Sequence, residues 1–153
     1  MTKLLLQARP DIACFGEKDY QQLQIIRRVA RDLDVETRIE GVPTVREPDG
    51  LALSSRNAYL APEERQVAPA LQRTLAAVAD RVAAGAPPPE VAAWGAAELV
   101  RAGFTKLDYL EICDAETLTP LATRDRPGRV LAAAWLGKTR LIDNLALPPQ
   151  VSV

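Results

Sequence analysis

Histidine is absent from all 153 residues, and that absence excludes more chemistry than any other feature of the composition. Without imidazole the chain can form no Ser-His or Cys-His nucleophilic arrangement, no histidine general base and no His-ligated zinc site. Excess charge of one sign is missing too. Lys plus Arg number 19 against 20 Asp plus Glu, so no net field draws the chain to nucleic acid or an anionic membrane. No apolar run approaches the roughly 18 to 20 residues that span a bilayer, and the opening MTKLLLQARPD is too short in apolar residues for a signal peptide. A cytoplasmic location is therefore expected. Cysteine is scarce: Cys14 and Cys113 sit far apart in apolar contexts, which predicts buried, unpaired thiols. What remains for chemistry is Lys, Arg, carboxylates, hydroxyls and backbone groups, a set suited to handling phosphate.

The length and an apolar fraction of 48% allow one domain or two small ones with a real core. Leu4, Leu5, Leu6 and Ala8 predict a short helix ending before Arg9-Pro10-Asp11. Ile12 to Phe15, closed by Gly16, predicts a buried parallel strand. From Asp19 to Leu33 the spacing of Leu23, Ile26, Ala30 and Leu33 is helical, and Val35 to Ile39 alternates as a second strand. This β-α-β order needs neighbouring strands to make a sheet. Gly41 to Asn57, rich in Gly, Pro, Asp and Ser, predicts an ordered loop and a domain junction. Beyond it, Pro62 opens a helix with a stripe at Val67, Leu71, Leu75, Val78 and Val82. A linker over Gly85 to Pro89 leads to a second helix through Trp94 and Leu99. Leu107 to Ile112, Val130 to Leu136 and Thr139 to Leu145 predict strands, the last two joined by a tight turn at Gly137-Lys138. The fold class is α/β: residues 1–43 read as the end of an α/β domain, and 44–153 as a small α+β domain with an antiparallel sheet.

Two polar clusters are candidates for chemistry. Gly16-Glu17-Lys18-Asp19 falls where a strand ends and a helix begins, a junction whose N–H groups and dipole favour anions. Lys18 would place a compact charge on phosphates, and Asp19 would cap the helix or accept from a ribose. The same string also reads as a solvated turn with an N-cap. Ser54-Ser55-Arg56-Asn57 sets two hydroxyls beside a guanidinium, which suits a phosphoryl group, or reads as an ordinary cap and turn. Arg140 with Asp143 reads as a structural pair, and Glu63-Glu64-Arg65 as a solvated helix start.

FGEKDYQQL at Phe15 to Leu23, GVPTVREPDGLALSSRN at Gly41 to Asn57, KLDYLEICDAETLTPL and the closing GKTRLIDNLAL together resemble the pantothenate synthetases (pantoate–β-alanine ligases) in order and spacing. That resemblance implies a Rossmann-like nucleotide-binding domain, of which this chain keeps the C-terminal part, followed by a small C-terminal lid domain. It implies a ligase using ATP and Mg2+ that adenylates pantoate, releases pyrophosphate and passes the acyl group to β-alanine. Gly16, Glu17, Lys18 and Asp19 would line the ATP site, Gln22 would bind pantoate, and the backbone at Val45 and Leu53 would hold adenine. Ser54, Ser55 and Arg56 would form a loop resembling the KMSKS element of related adenylating enzymes. Leu53 stands where methionine is common in the family. The family's first half, with its HxGH motif and another pantoate-binding glutamine, has no counterpart here. The chain is thus expected to be a C-terminal half, inactive alone, or a non-catalytic nucleotide-binding or pairing module that complements a separate N-terminal half. An exposed sheet edge makes self-association, including a homodimer, expected as well.

Overall fold

The computed structural model describes residues 1–149, and residue contacts divide the chain into two units, Met1–Thr44 and Val45–Val153. The architecture is α/β. In the first unit the helix α1 (Thr2–Ala8) ends where Arg9 turns left-handed, φ 44°, ahead of Pro10. The strand β1 (Ile12–Gly16) pairs in parallel with β2 (Arg38–Val42), Ile12 opposite Arg38 and Gly16 opposite Val42. Between them, a 3₁₀ turn over Glu17–Asp19 leads into α2 (Tyr20–Asp32). That helix buries Tyr20, Leu23, Ile26 and Ala30 along one apolar face, whereas Leu33, expected to continue the stripe, lies past the helix end and is exposed.

Two expectations for this unit need correction. β2 begins at Arg38 rather than Val35. Val35 instead ends the helix, its N–H donating to the Ala30 carbonyl while Asp34 takes the left-handed φ of 50°. This is a Schellman-type cap with Asp in place of the usual Gly. β1 is not buried either: Ile12 is 47% exposed and Cys14 lies open. Two strands and one packed helix cannot cover both faces of a parallel sheet, so the apolar run is only partly covered within the unit.

The second unit stacks helices on a three-stranded antiparallel sheet, β3 (Lys106–Asp114), β4 (Gly128–Leu136) and β5 (Thr139–Ala146), with β4 in the centre. β4 and β5 meet at the Gly137-Lys138 turn, where Gly137 has φ 52°. The single long helix expected after Pro62 is two, α3 (Pro62–Val67) and α4 (Ala70–Ala83). Pro69 lacks the N–H that continuity requires, so the stripe breaks there. Leu71, Leu75, Val78 and Val82 are buried, whereas Val67 is only partly so. Pro88 and Pro89, read as linker, form the first turn of α5 (Pro88–Ala102), where a missing N–H costs nothing. α4 packs on β4, β5 and α5, and α5 packs on β3, around a core that includes Leu75, Leu99, Phe104 and Val130.

Ion pairing also departs from the sequence reading. Arg140 pairs with Asp108, not Asp143. Asp108 sits at an irregularity in the β3–β4 register, which turns its carboxylate toward Arg140 Nε at 2.7 Å and Trp135 Nε1 at 3.0 Å. Those donors, Arg140 first, hold its pKa down to about 2. Both cysteines are free, and only Cys113 is buried.

Candidate functional site

In the first unit the structure gathers Gly16, Glu17, Lys18, Asp19 and Gln22 at the amino end of α2. Gly16 is still extended (φ −66°, ψ 133°), and the chain tightens into the 3₁₀ turn before α2 starts. Lys18 and Gln22 are four residues apart, and Asp19 and Gln22 three, a spacing that brings side chains to one face of the helix start. Asp19 stands at the N-cap position, yet no side-chain hydrogen bond caps the helix. The plain capping alternative for Asp19 is therefore not what its side chain does. Gly41 in β2 lies underneath: a Cβ there would come within 3.1 Å of Glu17 Oε1 and Leu23 Cδ2 and 3.2 Å of Arg27 Nη2. Glycine lets the turn and helix approach the strand this closely.

In the second unit Val45, Leu53, Ser54, Ser55 and Arg56 come together on a short antiparallel ribbon and the turn that follows it. Arg46 bridges Ala52, the Leu53 N–H donates to the Val45 carbonyl at 2.9 Å, and the Glu47 N–H donates to the Leu51 carbonyl at 2.8 Å. Gly50, φ 91°, closes the Glu47–Gly50 turn. The Leu53–Val45 and Glu47–Leu51 bonds flank the Arg46–Ala52 bridge on either side and close the ribbon. Val45 and Leu53 are 64% and 56% exposed, an apolar surface on the ribbon. Ser54 Oγ accepts from the Arg56 N–H at 3.2 Å and so caps the 3₁₀ helix Ser55–Tyr59. Ser55 and Arg56 remain exposed, and the Arg56 guanidinium has no hydrogen-bond or ion-pair partner among the described residues.

The residues that hold this ribbon carry no distinctive local pattern in the sequence. Arg46 makes a two-pronged contact with Asp143 of β5, Nη1 to Oδ2 at 2.7 Å and Nη2 to Oδ1 at 2.9 Å, and Nη1 also donates to the Gly50 carbonyl at 3.0 Å. Arg65 is not a solvated helix residue: it reaches Asp49 at 2.6 Å and Glu47 at 2.8 Å. Its guanidinium depresses both carboxyl pKa values, with Asn57 adding to the effect on Glu47. Asn57 Nδ2 donates to Glu47 Oε1 at 3.0 Å and to the Ala52 carbonyl at 3.1 Å. The available signal was the density of Arg, Glu, Asp and Asn around Pro48-Asp49-Gly50, but their partners are too distant in sequence to be read.

Surface hollows among the described residues include two that lie elsewhere. One is lined by Leu5, Arg9, Asp34 and Thr37 in the first unit, the other by Val82, Pro87, Thr123 and Arg124 in the second. No group of three or more His, Cys, Asp or Glu side chains among the described residues could hold a metal ion.

A family model described as Pantoate-beta-alanine ligase matches residues 1–146. The pantothenate synthetase of Paramagnetospirillum magneticum is 58% identical over 149 residues, covering 97% of this chain and 52% of that protein. Its namesake from Rhodopseudomonas palustris is 56% identical over 95% of this chain and 51% of its own length. The chain thus spans about half the length of these relatives. Among solved structures, pantothenate synthetase from Thermus thermophilus superposes with a TM-score of 0.89 at 46% identity, covering 96% of this chain and 53% of that one. Pantoate-beta-alanine ligase from Francisella tularensis, complexed with beta-gamma ATP and beta-alanine, superposes with a TM-score of 0.64 at 29% identity, covering 94% and 46%.

Proposed function

Since the chain belongs to the pantoate-beta-alanine ligase family, we propose that it contributes part of the machinery of an ATP-dependent ligase that joins pantoate to β-alanine through a pantoyl-adenylate, with release of pyrophosphate and AMP. The observation that carries this reading is the Ser54–Arg56 turn, which presents two hydroxyl-bearing residues and, among the described residues, an unpartnered guanidinium from an ordered ribbon. A guanidinium in that state can donate two parallel N–H bonds to a pair of phosphate oxygens.

The roles follow from chemistry. Lys18 places a point charge on the nucleotide phosphates, and the start of α2 adds the partial positive charge of its N–H groups. Asp19 accepts from the ribose, and Gln22 binds pantoate through its amide. The backbone at Val45 and Leu53 holds adenine, and the exposure of both residues gives its ring an apolar surface. Ser54, Ser55 and Arg56 stabilise charge that grows on the phosphates as the acyl-phosphate bond forms, so the rate gain is differential binding and needs no protein nucleophile. Mg2+ fits as a partner of the phosphates rather than of a protein cage, because no carboxylate cluster occurs among the described residues. The reaction assigns the protein to pantothenate biosynthesis and to the cytoplasm, where ATP is supplied.

The chain's span of about half its relatives' length supports a second proposal: by itself it makes little or no pantothenate. Losing half the phosphate contacts costs about tenfold per 1.4 kcal/mol of lost stabilisation. The exposed apolar residues of the first unit, Leu4, Leu6 and Ile12 among them, favour a pairing role with a separate N-terminal half or with a second copy. Calorimetric titration of the purified chain with Mg-ATP, repeated on Lys18→Ala, tests the first proposal. Saturable binding lost in the variant is expected, and equal heats from both proteins would refute the assignment of Lys18. Pantothenate formation by the chain alone would overturn the second.

A further inference from the structure

We propose that Asp143, acting through Arg46, is a positioning residue that fixes where the Ser54–Arg56 turn presents its side chains; what the turn is for rests on the nucleotide reading above, but how it is held does not. The Asp143 side chain is 2% exposed and that of Arg46 21%. Both carboxylate oxygens of Asp143 are taken by the two ends of one guanidinium, and Oδ1 also accepts from the Asn144 N–H at 2.8 Å. The planar fork therefore fixes direction as well as distance. The same guanidinium donates to the Gly50 carbonyl, so the anchor on β5 and the tip of the Glu47–Gly50 turn share one rigid group.

From Arg46 the constraint passes to both flanks of the turn. On one side Arg46 bridges Ala52. On the other, Glu47 and the Ala52 carbonyl both accept from Asn57 Nδ2, and Arg65 braces Glu47 and Asp49 from α3. Asn57 is thereby tied by one amide nitrogen to both strands of the ribbon. Residues 52 and 57 are thus clamped to one frame, and the exposed groups of Ser55 and Arg56 lie between them. A buried pair serving stability alone is replaceable by apolar residues. One that ends on a turn carbonyl and a ribbon bearing exposed hydroxyls and a cation is a device for pre-organisation.

The test is amide hydrogen exchange on the whole chain, as wild type, Asp143→Asn and Arg46→Lys. Arg46→Lys keeps the charge opposite Asp143 but loses the fork, so it guards against a variant that simply fails to fold. Amides of residues 51–57 are expected to exchange at least about tenfold faster in both variants, while those of α4 and β4 stay within about twofold of wild type. Unchanged exchange in 51–57, or equal acceleration in α4 and β4, would overturn the proposal. Titrating the same proteins with Mg-ATP separates the two readings. Local loosening with no binding by any of them would refute the nucleotide reading and leave the positioning role standing. Equally tight binding by loosened variants would refute the positioning role.

Discussion

The two units solve the same problem with unequal means. The first has two strands and two helices, and exposes Leu4, Leu6, Ile12, Ile25, Leu33 and Val42. In the second, α4 and α5 cover a three-stranded sheet, and Leu75, Val78, Val82, Leu99 and Val130 are fully buried. An antiparallel sheet closes through short local connections and needs a helical layer on one face, which the second unit supplies from its own sequence. A parallel pair needs cover on both faces and further strands beside it, which the residues of Met1–Thr44 do not provide. Local sequence can thus specify each element of a unit without specifying enough layers to bury them.

The contrast can be broken most severely from within the second core. Leu99→Ala is expected to lower the unfolding free energy by about 2–5 kcal/mol in denaturant titration. Leu23→Ala, with fewer buried neighbours to lose, is expected to cost less, at the low end of that range, and equal costs would erase the distinction. The thiols sharpen it chemically. Burial, with Glu111 nearby, pushes the Cys113 pKa from an ordinary 9.0 up to about 11, which cuts its reactive thiolate roughly 100-fold near pH 8. One fast thiol, Cys14 on β1, and one slow thiol should appear in a disulfide-exchange assay of the native chain; two fast thiols would show that the second core is open. Gly95→Ala is expected to cost about 1–3 kcal/mol through overpacking, because its Cβ would lie 2.6 Å from Val78 Cγ2.

The smallest effect is in the acid limb. Asp108 titrates at about 2 in the folded chain against 3.8 ordinarily. Its folded pKa is depressed, so its contribution is complete above the ordinary value and fades as pH falls toward 2. In a Trp94→Phe background the fluorescence of Trp135, which donates to Asp108, should change over that range. A midpoint near the ordinary value of 3.8 would mean that Arg140 does not hold the carboxylate.

Where period and turn chemistry were strong, the elements were legible: the β4–β5 hairpin, the buried stripe of α4 and the strand-turn-helix at Gly16–Asp19 follow from local residues. Misreadings arose where a residue did an uncharacteristic job. Asp34 takes a conformation that glycine usually marks, which shifted the start of β2 from Val35 to Arg38, and Pro69 sits inside an otherwise unbroken stripe. The burial of β1 was misjudged because an apolar run reports what a strand would bury, not whether a second layer is there. The candidate site was legible as two strings, whereas its supports were not. Arg46 with Asp143 and Arg65 with Glu47 join residues 97 and 18 positions apart, and no local pattern records such partners.

The sequence separation of the Arg46–Asp143 contact also has a temporal meaning. At about 5–20 residues per second of synthesis, Arg46 waits on the order of 5–20 s for its carboxylate to emerge. The ribbon at Val45–Leu53 and the turn after it can form early, yet they stay unlatched until β5 has paired with β4. The groups assigned to the nucleotide are therefore completed only once β5 has been made, and a nascent chain stalled before Asp143 would carry every candidate side chain of the turn with no fixed place to hold it.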